Sequence, residues 1–96
     1  MKAIRSLEDA EIEYDEALAV SPDPVAFRRD MNEALDAIAR GLITHRTLGR
    51  SKVCECHLSR LPYSIIYLDE PDTIRIVAFA HKKRRRGYWK SRLKPS

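Results

Sequence analysis

The sequence predicts an α+β fold: an N-terminal antiparallel helix hairpin packed on a three- to four-stranded antiparallel sheet. Three observations lead there. Over about the first forty positions, apolar residues recur at spacings of three and four, the period of a half-buried helix. From Lys52 onward they alternate, or run together in short blocks, as strands do. The breaks between these blocks are short enough for hairpins, which makes the strands an antiparallel meander.

The first helix is expected over residues 7 to 20. Leu7, Ala10, Tyr14, Ala17 and Leu18 fall on one face, and Ile12 lies off that stripe and broadens it. Ser6 stands where an N-cap belongs, with Asp9 completing an approximate capping box. Glu8, Asp9 and Glu11 suit the positive end of the helix dipole. Ser21-Pro22-Asp23-Pro24 then interrupts the chain. Asp23 is a good cap and Pro24 a good first helical residue, because its missing N–H has no partner there in any helix. The second helix runs from about Pro24 to Arg40 with Phe27, Met31, Leu35 and Ile38 as its stripe, and Gly41 is a left-handed stop.

Thr44 to Ser51 is a polar connection holding His45, Arg46 and Arg50. Lys52 to Leu58 alternates, with Cys54, Cys56 and Leu58 on one side. Tyr63 to Leu68 is almost wholly apolar, as a strand covered on both faces must be. Tyr63 and Tyr67 share a face and are expected to pack in the core. Thr73 to Ala80 alternates, Ile74, Ile76 and Ala78 opposite Val77 and Phe79. Met1 to Arg5 is a candidate edge strand.

Length and composition narrow the class. One domain is expected over residues 1–96, with 81–96 a basic C-terminal segment. Apolar residues make up 44% and charged residues 33%, values of a folded chain and not of a disordered one. No apolar run approaches the roughly eighteen residues of a membrane span, and the N-terminus lacks the apolar stretch of a signal peptide. A cytoplasmic protein with no membrane partner is expected. The cysteines agree: on a strand, residues two apart share a face, and a bond between them would strain the backbone. Cys54-Glu55-Cys56-His57 imitates a metal motif, but His57 points away from both thiols on an extended strand. No metal and no cofactor are expected.

The net charge of +4 conceals a division. From Thr73 to the end there are nine Lys or Arg residues and no Asp or Glu, whereas the preceding residues carry nine basic and fourteen acidic side chains, a net −5. Such a terminus implies a polyanionic or acidic partner. Tyr88 and Trp89 stand among the cations, and a Tyr-Trp pair there either docks on the domain or meets a partner.

The segment Leu58 to Leu93 resembles toxins of the RelE/ParE superfamily of type II toxin–antitoxin systems. The likeness lies in Leu61-Pro62-Tyr63-Ser64-Ile65-Ile66-Tyr67, then Ile74-Arg75-Ile76, Ala78-Phe79-Ala80-His81, and Arg86-Gly87-Tyr88-Trp89. It implies a toxin, of the kind that stabilises plasmids or arrests growth, neutralised by a cognate acidic antitoxin. Two targets occur in the superfamily. ParE-like members poison DNA gyrase; RelE-like members cut messenger RNA on the ribosome without a metal.

Metal-free RNA cleavage requires a base, an acid and cations for the developing charge. The strand positions matching the RelE-like lysines and arginine are Glu55, His57 and Ser64, a departure that favours ParE-like binding. In that reading Arg84, Arg85, Arg86, Tyr88, Trp89, Lys90 and Arg92 engage gyrase. In the RelE-like alternative, His81, Lys83, Arg85, Tyr88 and His57 are the catalytic set. The bland alternatives are that His81 only packs, that His45 and His57 are surface residues, and that Lys82 to Arg86 is a solvated tail. A plain nucleic-acid-binding module ranks last, because no helix face carries the basic charge. On either toxin reading, removal of everything after Ala80 is expected to leave a folded, harmless body.

Overall fold

The computed structural model describes residues 1–42, 46–47 and 52–93. Its order is β1 (Ala3–Ser6), α1 (Glu8–Ala19), α2 (Pro24–Ala39), β2 (Arg46–Thr47), β3 (Val53–His57), β4 (Tyr63–Asp69) and β5 (Thr73–His81), closed by a 3₁₀-helix (Tyr88–Leu93). His45, Arg50 and the rest of the expected polar connection, other than the two residues of β2, lie outside the described residues, as does Lys94.

The strands form one sheet in the order β1-β5-β4-β3-β2. The meander β3-β4-β5 is antiparallel, as its short connections require. The edge strand at the N-terminus forms, and it runs parallel to β5, with Ala3 opposite Thr73 and Ser6 opposite Ile76. The sheet is therefore mixed, though mostly antiparallel. A parallel pair needs a long crossover, and here the helix hairpin and the meander together supply it.

The ends of the helices show where local signals held. Asp23 Oδ1 accepts from the Ala26 N–H at 3.1 Å, with Pro24 following as the first helical residue. Gly41 adopts φ +70°, and the N–H groups of Gly41 and Leu42 return to the carbonyls of Ile38 and Ala37. That pattern closes a helix, and glycine adopts it without a steric penalty. Ser6 does not cap α1. It is the last residue of β1, and Leu7 takes the cap position with no side-chain bond, so no capping box forms. The acidic residues of the first turn remain to answer the dipole.

Two apolar clusters lie on opposite faces of the sheet. The helix side gathers Ala10, Ala17, Phe27, Met31 and Ile38 against Cys54, Cys56, Ile65, Tyr67, Ile74, Ile76 and Phe79. Tyr14 meets Phe27 and Phe79 edge-on, at 5.4 and 5.3 Å between ring centres. The other side gathers Val53, Ile66, Val77 and Ala78 under Trp89. Ile12, off the α1 stripe, stays exposed.

The simple alternation expected for β5 fails at one point. Ile66 faces Ala78 but Tyr67 faces Ile76, so Val77 is an extra residue. Beyond it the parity inverts. Ala78 joins Val77 on the outer face, and Phe79 turns to the helices.

The second cluster also corrects the expectation about truncation. The C-terminal segment is the lid of a core: Trp89 is only 5% exposed. Ending the chain after Ala80 would open Val53, Ile66, Val77 and Ala78 to water.

Candidate functional site

A cleft of about 610 Å³ opens on the outer face of the sheet, between its strands and the C-terminal segment. β3 contributes Glu55 and His57, β4 contributes Ser64 and Ile66, and β5 ends in it with Ala80 and His81. Above them the chain turns through Lys82–Gly87 into the 3₁₀-helix. The turn is held by Lys82 N–H donating to Pro62 O at 2.9 Å and Arg84 N–H to His81 O at 2.9 Å. Gly87 has φ +73°, a left-handed conformation that glycine adopts without the penalty a Cβ brings.

The charge around the cleft is one-sided. Lys82, Arg84, Arg85, Arg86 and Lys90 line it, and among the lining residues Glu55 is the one carboxylate. All five cations are exposed. Their repulsion is tolerable because water solvates each head group, and together they raise the local concentration of a polyanion.

Beneath this rim lies a short polar chain. Ser64 Oγ is 2.7 Å from His57 Nδ1, and His57 Nε2 is 3.3 Å from Glu55 Oε1. Two local rules make the arrangement. Glu55 and His57 share a face because they are two apart on β3, and Ser64 stands directly opposite His57 in the β3–β4 ladder. His81 is held differently: its Nδ1 accepts from the Lys83 N–H at 3.1 Å, and its ring meets Tyr63 edge-on at 5.0 Å. The other ring nitrogen therefore carries the proton in the neutral form.

The residues singled out from sequence divide into three groups. His57, His81, Arg84, Arg85, Arg86, Tyr88, Trp89 and Lys90 all line the cleft. Lys83 is exposed outside its lining. Arg92 turns underneath, where it donates to Glu13 Oε1 at 2.8 Å and to the Val77 carbonyl at 3.0 Å. Trp89 contributes the apolar wall and not an exposed contact. Tyr88 is half-committed as well: its hydroxyl donates to Glu13, and the Arg84 guanidinium lies over its ring at 3.9 Å. Burial, then the Glu13 hydrogen bond, push its phenol well above the ordinary tyrosine range.

Glu13 is the residue that sequence patterns miss. It sits in an acidic helix among five other carboxylates, and nothing local separates it from them. Ser64 was visible only as a position lacking a cation. The expected Cys-Glu-Cys-His divergence is present: both thiols pack on the helix side, and His57 faces the cleft. Burial raises both thiols above their ordinary range.

No family model and no curated protein matches this sequence. Solved structures do. A chain of the chromosomal ParDE toxin–antitoxin system from P. aeruginosa aligns with a TM-score of 0.63 at 17% identity, over 84% of this chain and 96% of that one. A copper-bound mutant toxin from Helicobacter pylori aligns with a TM-score of 0.70, also at 17% identity, over 88% and 100%. The fold is the RelE/ParE toxin fold. No helix among the described residues is long and apolar enough to cross a membrane.

Proposed function

We propose that this chain is the toxin of a toxin–antitoxin pair and that it acts on RNA held in the basic cleft, in the manner of a RelE-like messenger RNA endoribonuclease. The observation that carries this is the cleft itself: five cations and one carboxylate around a floor that presents His57 and Ser64. A phosphate backbone neutralises such a rim, and an imidazole below it supplies proton transfer without a metal. An acidic antitoxin that covers the rim would silence the toxin, and the affinity of that complex should fall as salt rises.

A ParE-like inhibitor of DNA gyrase is the second reading. It draws on the likeness to a ParDE chain and on Glu55, His57 and Ser64 standing where cations serve the nuclease. The aromatic anchor on which it leaned is weakened, because Trp89 is buried. Adding the purified chain to a translation reaction and to a gyrase supercoiling reaction separates the two. Cut messages with intact supercoiling support the nuclease; intact messages with blocked supercoiling support gyrase.

A further inference from the structure

The Ser64 side chain is buried, 7% exposed, in a cleft whose apolar lining includes Ile66, Ala80, Trp89 and Leu93. A hydroxyl in such a place needs a partner, and its partner is a titratable ring that itself approaches a carboxylate. We infer that Ser64 is the reactive hydroxyl of the cleft, with His57 as its proton acceptor and Glu55 as the group that orients the ring. Only the choice of substrate rests on the RNA reading.

The relay runs in one direction. Glu55 Oε1 lies 3.3 Å from Nε2, an ion-pair contact that favours the proton on that nitrogen, and the Nδ1 lone pair is then left for the Ser64 hydroxyl 2.7 Å away. The Ser64 proton moves to Nδ1. The imidazolium so formed points one N–H at Ser64 Oγ, and the negative charge of Glu55 beside Nε2 stabilises it. The strand ladder holds both ends of this chain, so little motion is needed to keep it aligned. With RNA in the cleft, the 2′-hydroxyl gives its proton to Ser64 Oγ as Ser64 gives its own to His57. The 2′-oxygen bonds to phosphorus, the bond to the 5′-oxygen breaks, that oxygen takes a proton from water, and the hydroxide left removes the proton from His57. Arg85, Arg86 and Lys90 line the same cleft, and their role in the relay is to offset the charge that grows on the phosphoryl oxygens.

A fluorophosphonate probe tests the hydroxyl without RNA. Attack by Ser64 forms an Oγ–P bond, fluoride leaves, and the proton goes to His57. Peptide mass spectrometry should find the adduct on Ser64, with labelling reduced by about 100-fold in His57→Ala and about tenfold in Glu55→Gln. His57 is exposed, with 67% of its side chain accessible, so its removal leaves the body folded, which Trp89 emission checks. No adduct on Ser64 in the folded wild-type chain, or equal labelling without His57, overturns the inference. RNA cleavage is the second arm. Ser64→Ala should bind RNA normally and cut it about 100-fold more slowly. If it cuts at the wild-type rate, the relay falls and the RNA reading stands. If Ser64 is labelled but the wild-type chain cuts nothing, the relay stands and the RNA reading falls.

Discussion

Glu13 on the first helix and Arg92 near the C-terminus form a two-pronged ion pair, Arg92 donating to both carboxylate oxygens at 2.8 and 3.2 Å. The side chains are only 12% and 14% exposed. The same carboxylate accepts from the Phe79 N–H at 3.2 Å and from Tyr88, while Arg92 reaches the Val77 carbonyl. These backbone groups lie beyond Ile76, where the pairing of β1 with β5 ends. The ion pair thus continues at the bulge the work that a neighbouring strand does before it, and it ties the cleft's lid to the helix layer.

Breaking that pair should be costly, since the surviving charge would be left in a poorly hydrated place. Glu13→Ala and Arg92→Ala are each expected to lower stability by about 3 kcal/mol. The double variant should lose clearly less than the sum. Urea unfolding of the four proteins measures this, and additive losses would show that the two side chains do not act together.

Trp89→Ala should cost about 3–5 kcal/mol, because it removes the cover of Val53, Ile66 and Val77. A domain of this size has only about 5–14 kcal/mol in total. A chain ending after Ala80 is expected to be largely unfolded. Circular dichroism of both proteins decides it, and a cooperatively folded truncation would show that the segment merely decorates the sheet.

Tyr88 gives the stability a dependence on alkaline pH. Burial and the Glu13 bond raise its phenol in the folded state above the unfolded value of 10.0. The protonated form is therefore favoured by folding. Its contribution is fully present below pH 10 and is lost as pH climbs from there toward the folded value. Tyr88→Phe should cost about 1.5 kcal/mol at neutral pH and flatten the alkaline decline. Tyr67, raised by burial and by Cys54, Cys56 and Asp69, leaves a remainder of that decline in the variant.

The two thiols should be inert in the folded protein. Cys54 and Cys56 are 4% and 9% exposed, and burial holds both above the ordinary thiol range. A disulfide-exchange reagent at pH 8 is expected to react with neither until denaturant is added. Rapid reaction of the native protein would mean that the helix layer opens readily.

Much of the scaffold was written in local spacing. Phe27, Met31 and Ile38 announced the face of α2, Asp23-Pro24 its start and Gly41 its end, because each acts within one or two helical turns. Period-two alternation placed Cys54 and Cys56 on the core side and Glu55 and His57 on the other, and the charge count alone located a basic terminus. Sequence spacing could not show that Val77 is an extra residue, since a bulge exists only relative to a partner strand. Nor could it show that Trp89 closes a core, that Ser64 faces His57 across a ladder, or that Glu13 is chosen from an acidic helix by a guanidinium 79 positions away. Periodicity reports which way a side chain points along its own element. Which group it meets is decided when elements distant in the chain are brought to van der Waals contact, and there the cleft acquired its floor, its rim and its chemistry.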